Sequence, residues 1–211
     1  MRSLCVGASI LLVVAVAACG SKPSATYSAK PAGTPAQHGA PWPAPPDPLV
    51  RTRLAGLKPE THEFFSYHVH AHLDVFVNGQ LERVPAGIGI NILDPAVKRG
   101  LEPDGTLAYG GITQCATPCI SPLHTHADDG ILHTESQRHR PNQLGDFFTE
   151  WNVRLSRSCV GGYCEPADPI AFFVDGQRYR GDPRTIQLTN HKDIVIVIGS
   201  PPKQIPSQFP S

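Results

Sequence analysis

The chain has 211 residues, and its 18 basic and 18 acidic side chains balance to zero formal net charge. The length suits one ordinary domain. Balanced charge without a basic stripe argues against electrostatic binding to nucleic acid.

The N-terminal stretch reads MRSLCVGASILLVVAVAACGSKPS. Arg2 precedes an apolar run over 6–18, the length of a signal-peptide core and too short to span a bilayer comfortably. The run ends in Val16-Ala17-Ala18-Cys19, which resembles the lipobox of bacterial lipoproteins. That resemblance implies a signal peptide over 1–18, acylation of Cys19 and anchorage on the extracytoplasmic face of the cell membrane. Stable anchoring takes more than one acyl chain. An ordinary secretory signal cleaved near Ala18 is the alternative. Residues 21–48 are rich in Pro, Ala, Gly and Ser with almost no large aliphatics, so 19–49 is expected to be an extended tether without a core. A Pro-rich tail over 200–211 is either loose or laid across the domain, which leaves a folded body over 50–199.

Within that body, PLVRTRLAGLKP offers a short helix. Residues 67–77 then alternate: Val69, Ala71, Leu73, Val75 and Val77 share one face, and His68, His70, His72, Asp74 and Phe76 the other, as in a half-buried strand. Asn78-Gly79 is a hairpin turn, with a second strand down to about Val84. A similar phrase recurs around Asp175-Gly176, which suggests a duplicated hairpin. Residues 193–199, DIVIVIG, read as a buried strand. Between these, Leu144, Phe147, Phe148, Trp151 and Leu155 fall at helical spacing as one apolar stripe, with Asn142 as N-cap. These aromatics are core. The expected fold is mainly β, a single sandwich or small barrel-like domain with one or two packed helices.

Besides Cys5 and Cys19, four cysteines remain: Cys115, Cys119, Cys159 and Cys164. Four allow three pairings, and outside the cytoplasm two disulfides are the default. Local pairs 115–119 and 159–164 would staple two loops, whereas cross-pairing would tie distant segments. Spacings of three and four residues also leave a thiolate metal site open.

Six of the ten histidines lie in two short stretches, YHVHAHLDVFVNGQ and SPLHTHADDGILHTES. Alternating strand residues project in parallel, so an HxH pair can bind one ion with little strain, whereas three in a row rarely all reach it. Two of His68, His70 and His72 are therefore expected as ligands. His124 and His126 form a second HxH, and the ADDG turn folds that strand back to bring His133 and Glu135 alongside. The expected ligands are His70, His72, His124, His126 and His133, with His68 and Glu135 as further members. A nitrogen-rich shell suits zinc or copper first, then iron, nickel or manganese. The only methionine is Met1, which argues against a thioether Cu(I) carrier and a blue-copper site. The other reading pairs these histidines with Asp74, Asp128, Asp129 and Glu135. Asp128 and Asp129 are turn residues. His38, His62, His139 and His191 are ordinary singly placed histidines.

The motifs HVHAHLDVFVNGQ, VPAGIGI, PLHTHADDGILHTES, LGDFFTEWNVRL, CVGGYC and IVIVIGSPPKQIPS together resemble a family of uncharacterised actinobacterial secreted proteins and lipoproteins, over residues 53–208. The resemblance implies one shared fold and a shared histidine site, and no particular activity. Copper-zinc superoxide dismutases and cupins are similar in part. The first lack a counterpart here for their Gly-Phe-His-x-His context and Gly-rich loop. The second carry no histidine where His133 separates the HxH pair from Glu135. The expected function is a lipid-anchored metal-binding protein that binds or delivers zinc or copper at the cell surface. The alternatives are a metalloenzyme using Glu135 or Asp128 for proton transfer, and an envelope interaction module whose metal is structural or absent.

Overall fold

The computed structural model describes residue 35 and residues 38–210. The expected signal peptide, Cys19 and the first part of the expected tether lie outside the described residues. The elements run α1 (Pro48–Leu54), β1 (Tyr67–Val77), β2 (Gln80–Glu82), β3 (Lys98–Leu101), β4 (Leu107–Gly110), β5 (Leu123–His124), β6 (Ile131–Ser136), α2 (Leu144–Trp151), β7 (Cys159–Val160), β8 (Tyr163–Cys164), β9 (Ile170–Val174), β10 (Gln177–Tyr179), a 3-10 turn (Pro183–Thr185) and β11 (Lys192–Ile198). Among the described residues the fold is mainly β with two helices, as expected. Its main sheet is open, in the order β10-β9-β11-β1-β6-β5 with β2 also on β1, and two-stranded ribbons β3-β4 and β7-β8 accompany it. The barrel variant of the expectation is set aside, because β10 and β5 end the sheet without meeting. Among the described residues no helix is long and apolar enough to cross a membrane.

β1 is the centre of this sheet. One edge pairs in parallel with β11; the other is shared by β6 along Tyr67–His72 and by β2 along Val75–Val77. Asn78 and Gly79 turn β1 into β2 with φ of 49° and 78°, the left-handed pair that a tight hairpin requires. Asp175 and Gly176 repeat the geometry between β9 and β10. In register, Leu73, Val75 and Val77 lie beside Ile194, Ile196 and Ile198. This apolar face packs in one core with Leu144, Phe147, Phe148 and Trp151 of α2. The opposite face of β1 carries the histidines.

Three sequence boundaries move. The helix ends at Trp151 because Asn152 takes φ 60°, a left-handed stop; Leu155 is still buried but lies beyond it. Its N-cap is Gln143, whose N–H donates to Asp146 at 2.9 Å, whereas Asn142 is buried and bonded to the Thr134 hydroxyl. The folded body begins before residue 50. Trp42 is 3 % exposed, packs edge-on against Trp151 and Tyr163, and accepts at its carbonyl from Trp151 Nε1. The tether expectation for 19–49 is corrected there: one large indole makes a core contact that average composition conceals. The tail lies across the domain, with the Phe209 ring 4.8 Å from that of His191. The cysteines form the local disulfides Cys115–Cys119 and Cys159–Cys164.

Glu150 is fully buried on α2, and Ser121 Oγ donates to it at 2.5 Å. Burial pushes its carboxyl up to about 8, against the opposing pull of the Ser121 and Thr52 hydroxyls. A folded pKa above the unfolded one means the native state holds the proton longer, so stability falls as pH rises from about 4.5 to about 8. Glu150→Gln should flatten that slope, read from urea midpoints at pH 5, 7 and 9. Equal slopes in both proteins would remove Glu150 from the account.

Candidate metal centre

Strand pairing builds the cluster. β6 lies antiparallel to β1, with His70 opposite His133 and His68 opposite Glu135. β5 lies on the other side of β6, with His124 opposite His133. The sequence expectation that the ADDG turn folds the second motif back on itself describes this hairpin. His126 lies just beyond β5, where its carbonyl accepts from the Tyr109 N–H of β4.

His133 sits in the middle. Its ring centroid is 4.3 Å from that of His70, 4.5 Å from His126 and 5.4 Å from His124. Nε2 of His68 and His70 are 2.7 Å apart, and Nε2 of His124 and His126 are 3.1 Å apart. His124 Nδ1 lies 2.9 Å from the Ser121 carbonyl, and His126 Nδ1 2.5 Å from the Tyr109 carbonyl. A carbonyl can only accept, so both Nδ1 atoms donate, which leaves Nε2 as the ring nitrogen able to take up a cation. The two Nε2 atoms face each other at 3.1 Å, a spacing that one metal ion about 2.1 Å from each would span. Backbone carbonyls that fix the tautomer in this way are the usual outer support of metal-bound histidine.

Carboxylates complete the group. Glu135 Oε1 is 3.1 Å from His68 Nε2 and 3.5 Å from His133 Nδ1. Glu63, which the sequence did not single out, places Oε1 3.5 Å from His126 Nε2. Glu63 Oε1, Glu135 Oε2 and His133 Nδ1 are buried without a hydrogen-bond partner, a costly state for polar atoms that a bound ion would relieve. Burial, helped by neighbouring imidazoles, lowers His70 to about 4 and His133 to about 3, and holds His124 well below its ordinary value. Burial raises Glu63 and Glu135, against the pull of nearby histidines. Neutral imidazole is the ligating form. Among the described residues, this cluster offers two sets of side chains that could hold a metal ion: His68, His70, His133 and Glu135, and His124, His126, His133 and Glu135.

Two expected residues lie elsewhere. His72 shares the histidine face of β1 but belongs to neither set. Its Nδ1 is 2.9 Å from Asp193 on β11 and its Nε2 3.7 Å from Asp74, so carboxylates flank both nitrogens. Asp128 pairs with Arg83 at 3.4 Å and does not line the cleft, whereas Asp129 caps its turn by accepting from the Ile131 N–H. The His62 and His139 rings lie tilted against those of Phe64 and Tyr67, with centroids 4.0 Å and 4.4 Å apart.

The cluster opens into a cleft of about 1010 Å³ whose apolar lining includes Phe65, Leu101, Tyr109, Ile131 and Phe209. His68, His70, His126, His133 and both glutamates reach it, whereas His124 is fully buried behind them. No protein-family model matches the chain, and neither the curated proteins nor the solved structures hold a significant match to it.

Proposed function

We propose that this is an extracytoplasmic, lipid-anchored metal-binding protein that takes up zinc or copper through its histidine cluster and binds or delivers the ion at the cell surface. The observation that carries the metal reading is the facing Nε2 pair of His124 and His126, whose Nδ1 atoms are both committed to backbone carbonyls. The orphaned buried atoms of Glu63, His133 and Glu135 support it. A shell of nitrogen and oxygen donors suits zinc or copper. Surface location and anchorage rest on the apolar leader and Val16-Ala17-Ala18-Cys19, and the two disulfides suit an oxidising compartment.

The test is metal content by mass spectrometry on the exported chain from a chelator-free preparation, beside a His124→Ala/His126→Ala variant. Near-stoichiometric zinc or copper in the parent, at least halved in the variant, is the expected result. No metal in either, even after both ions are offered, would reject the reading.

The cleft supports a second reading, a metalloenzyme. A metal there would supply Lewis-acid or redox chemistry. Phe65, Leu101 and Ile131 would exclude water from a bound substrate, and Glu135, within reach of His68 and His133, would hold or pass a proton. A carrier releases its ion to a mild chelator within minutes; an enzyme keeps it through turnover.

A further inference from the structure

The two HxH pairs do not converge on one point. Each, taken with His133 and Glu135, forms a group whose ligand atoms all lie within 4.8 Å, and among the described residues no group within that distance contains both pairs. An ion that binds imidazole nitrogen at about 2.1 Å cannot join donors more than about 4.2 Å apart. We infer that the cluster is a two-ion centre, one ion position held by His68 and His70, the other by His124 and His126, with His133 and Glu135 between them. The inference rests on the metal reading above and gives it a stoichiometry.

The carboxylates fit this division. Glu135 Oε1 faces His68 and His133, while Oε2 is buried and unpartnered. A carboxylate can bridge two cations through its two oxygens and offset their repulsion at the roughly 3.5–4 Å spacing of two-metal sites. Glu63 Oε1, also buried without a hydrogen bond, adds an oxygen 3.5 Å from His126 Nε2. The second position thus gains a carboxylate of its own. With one ion only, one HxH pair would stay unfilled. For His124 and His126 that leaves two Nε2 atoms 3.1 Å apart with no ion to share, while both Nδ1 atoms are committed to backbone carbonyls. The ligands expected are two divalent ions of the zinc or copper class.

The full exported chain would be titrated with zinc after chelator treatment and desalting, and counted by mass spectrometry. His68→Ala/His70→Ala and His124→Ala/His126→Ala would be run alongside, with circular dichroism to confirm folding. Two ions in the parent and one in each double variant is the expected result. One ion in the parent overturns the two-ion centre and leaves the metal reading standing; none overturns both. Electron paramagnetic resonance of the Cu(II)-loaded parent gives a second readout that needs no variant. A spin-coupled spectrum with diminished intensity is expected, and a full-intensity isolated Cu(II) signal would reject the pair.

Discussion

Trp151→Ala should lower unfolding free energy by about 3–5 kcal/mol, the usual cost of emptying a large aromatic site in a core. Trp151 is 1 % exposed and holds together three parts of the molecule. Its ring lies 5.9 Å from Phe147 and 5.4 Å from Phe148 on its own helix, and 5.7 Å from Trp42 at an interplanar angle of 89°. Its indole N–H also donates to the Trp42 carbonyl at 3.0 Å. Removing it leaves a cavity, an unsatisfied carbonyl and a loosened segment before α1. Urea unfolding by circular dichroism measures this as a shifted midpoint at unchanged slope. A change below about 1 kcal/mol, well short of this class of substitution, would show that the cavity collapses and that Trp42 and α2 are not energetically one unit.

Metal should change stability on a similar scale. An ion that binds only the folded chain stabilises it by about 2.7 kcal/mol at a hundred times its dissociation constant and about 4.1 kcal/mol at a thousand times. For a chain of this length that is a rise of roughly 5–15 °C in melting temperature. The rise should vanish on chelation and be lost or strongly reduced in His133→Ala, which removes the histidine common to both ligand sets. The dependence on pH follows from the same residues. His70 and His133 titrate lower in the folded chain than in the unfolded one. In the metal-free protein their contribution is complete above the unfolded value near 6.5 and is lost as pH falls toward about 4 and about 3. The raised carboxyls Glu63 and Glu135 act in the opposite sense, so metal-free His133→Ala should lose less stability than the parent between pH 6.5 and 4. Identical melting temperatures with and without zinc or copper in the parent would contradict a metal site of useful affinity.

Residues 67–77 were legible because a strand repeats every two residues and its hairpin glycine permits few geometries. The same logic gave the fold-back of His124 and His126 toward His133 and Glu135. It failed where distant partners decide. His68, His70 and His72 are equivalent in sequence, yet β11 places Asp193 opposite His72 and draws that ring out of the cluster. That register depends on a strand some 121 residues away. Glu63 was missed for a similar reason: it lies outside any regular element and no local pattern marks it. Asn152 stopped α2 early through its own backbone conformation, against a hydrophobic period that runs on to Leu155.

The parallel pairing of β1 with β11 bears on when such a centre can fill. A chain threaded N-terminus first across a membrane delivers the strand bearing His68 and His70 long before the strand that closes its free edge. Until then that edge is raw, and the ligands stand on an unfinished support. For a protein exported unfolded, loading would follow translocation. The ion would then be selected by what the outer compartment supplies, with the cytoplasmic pool bypassed.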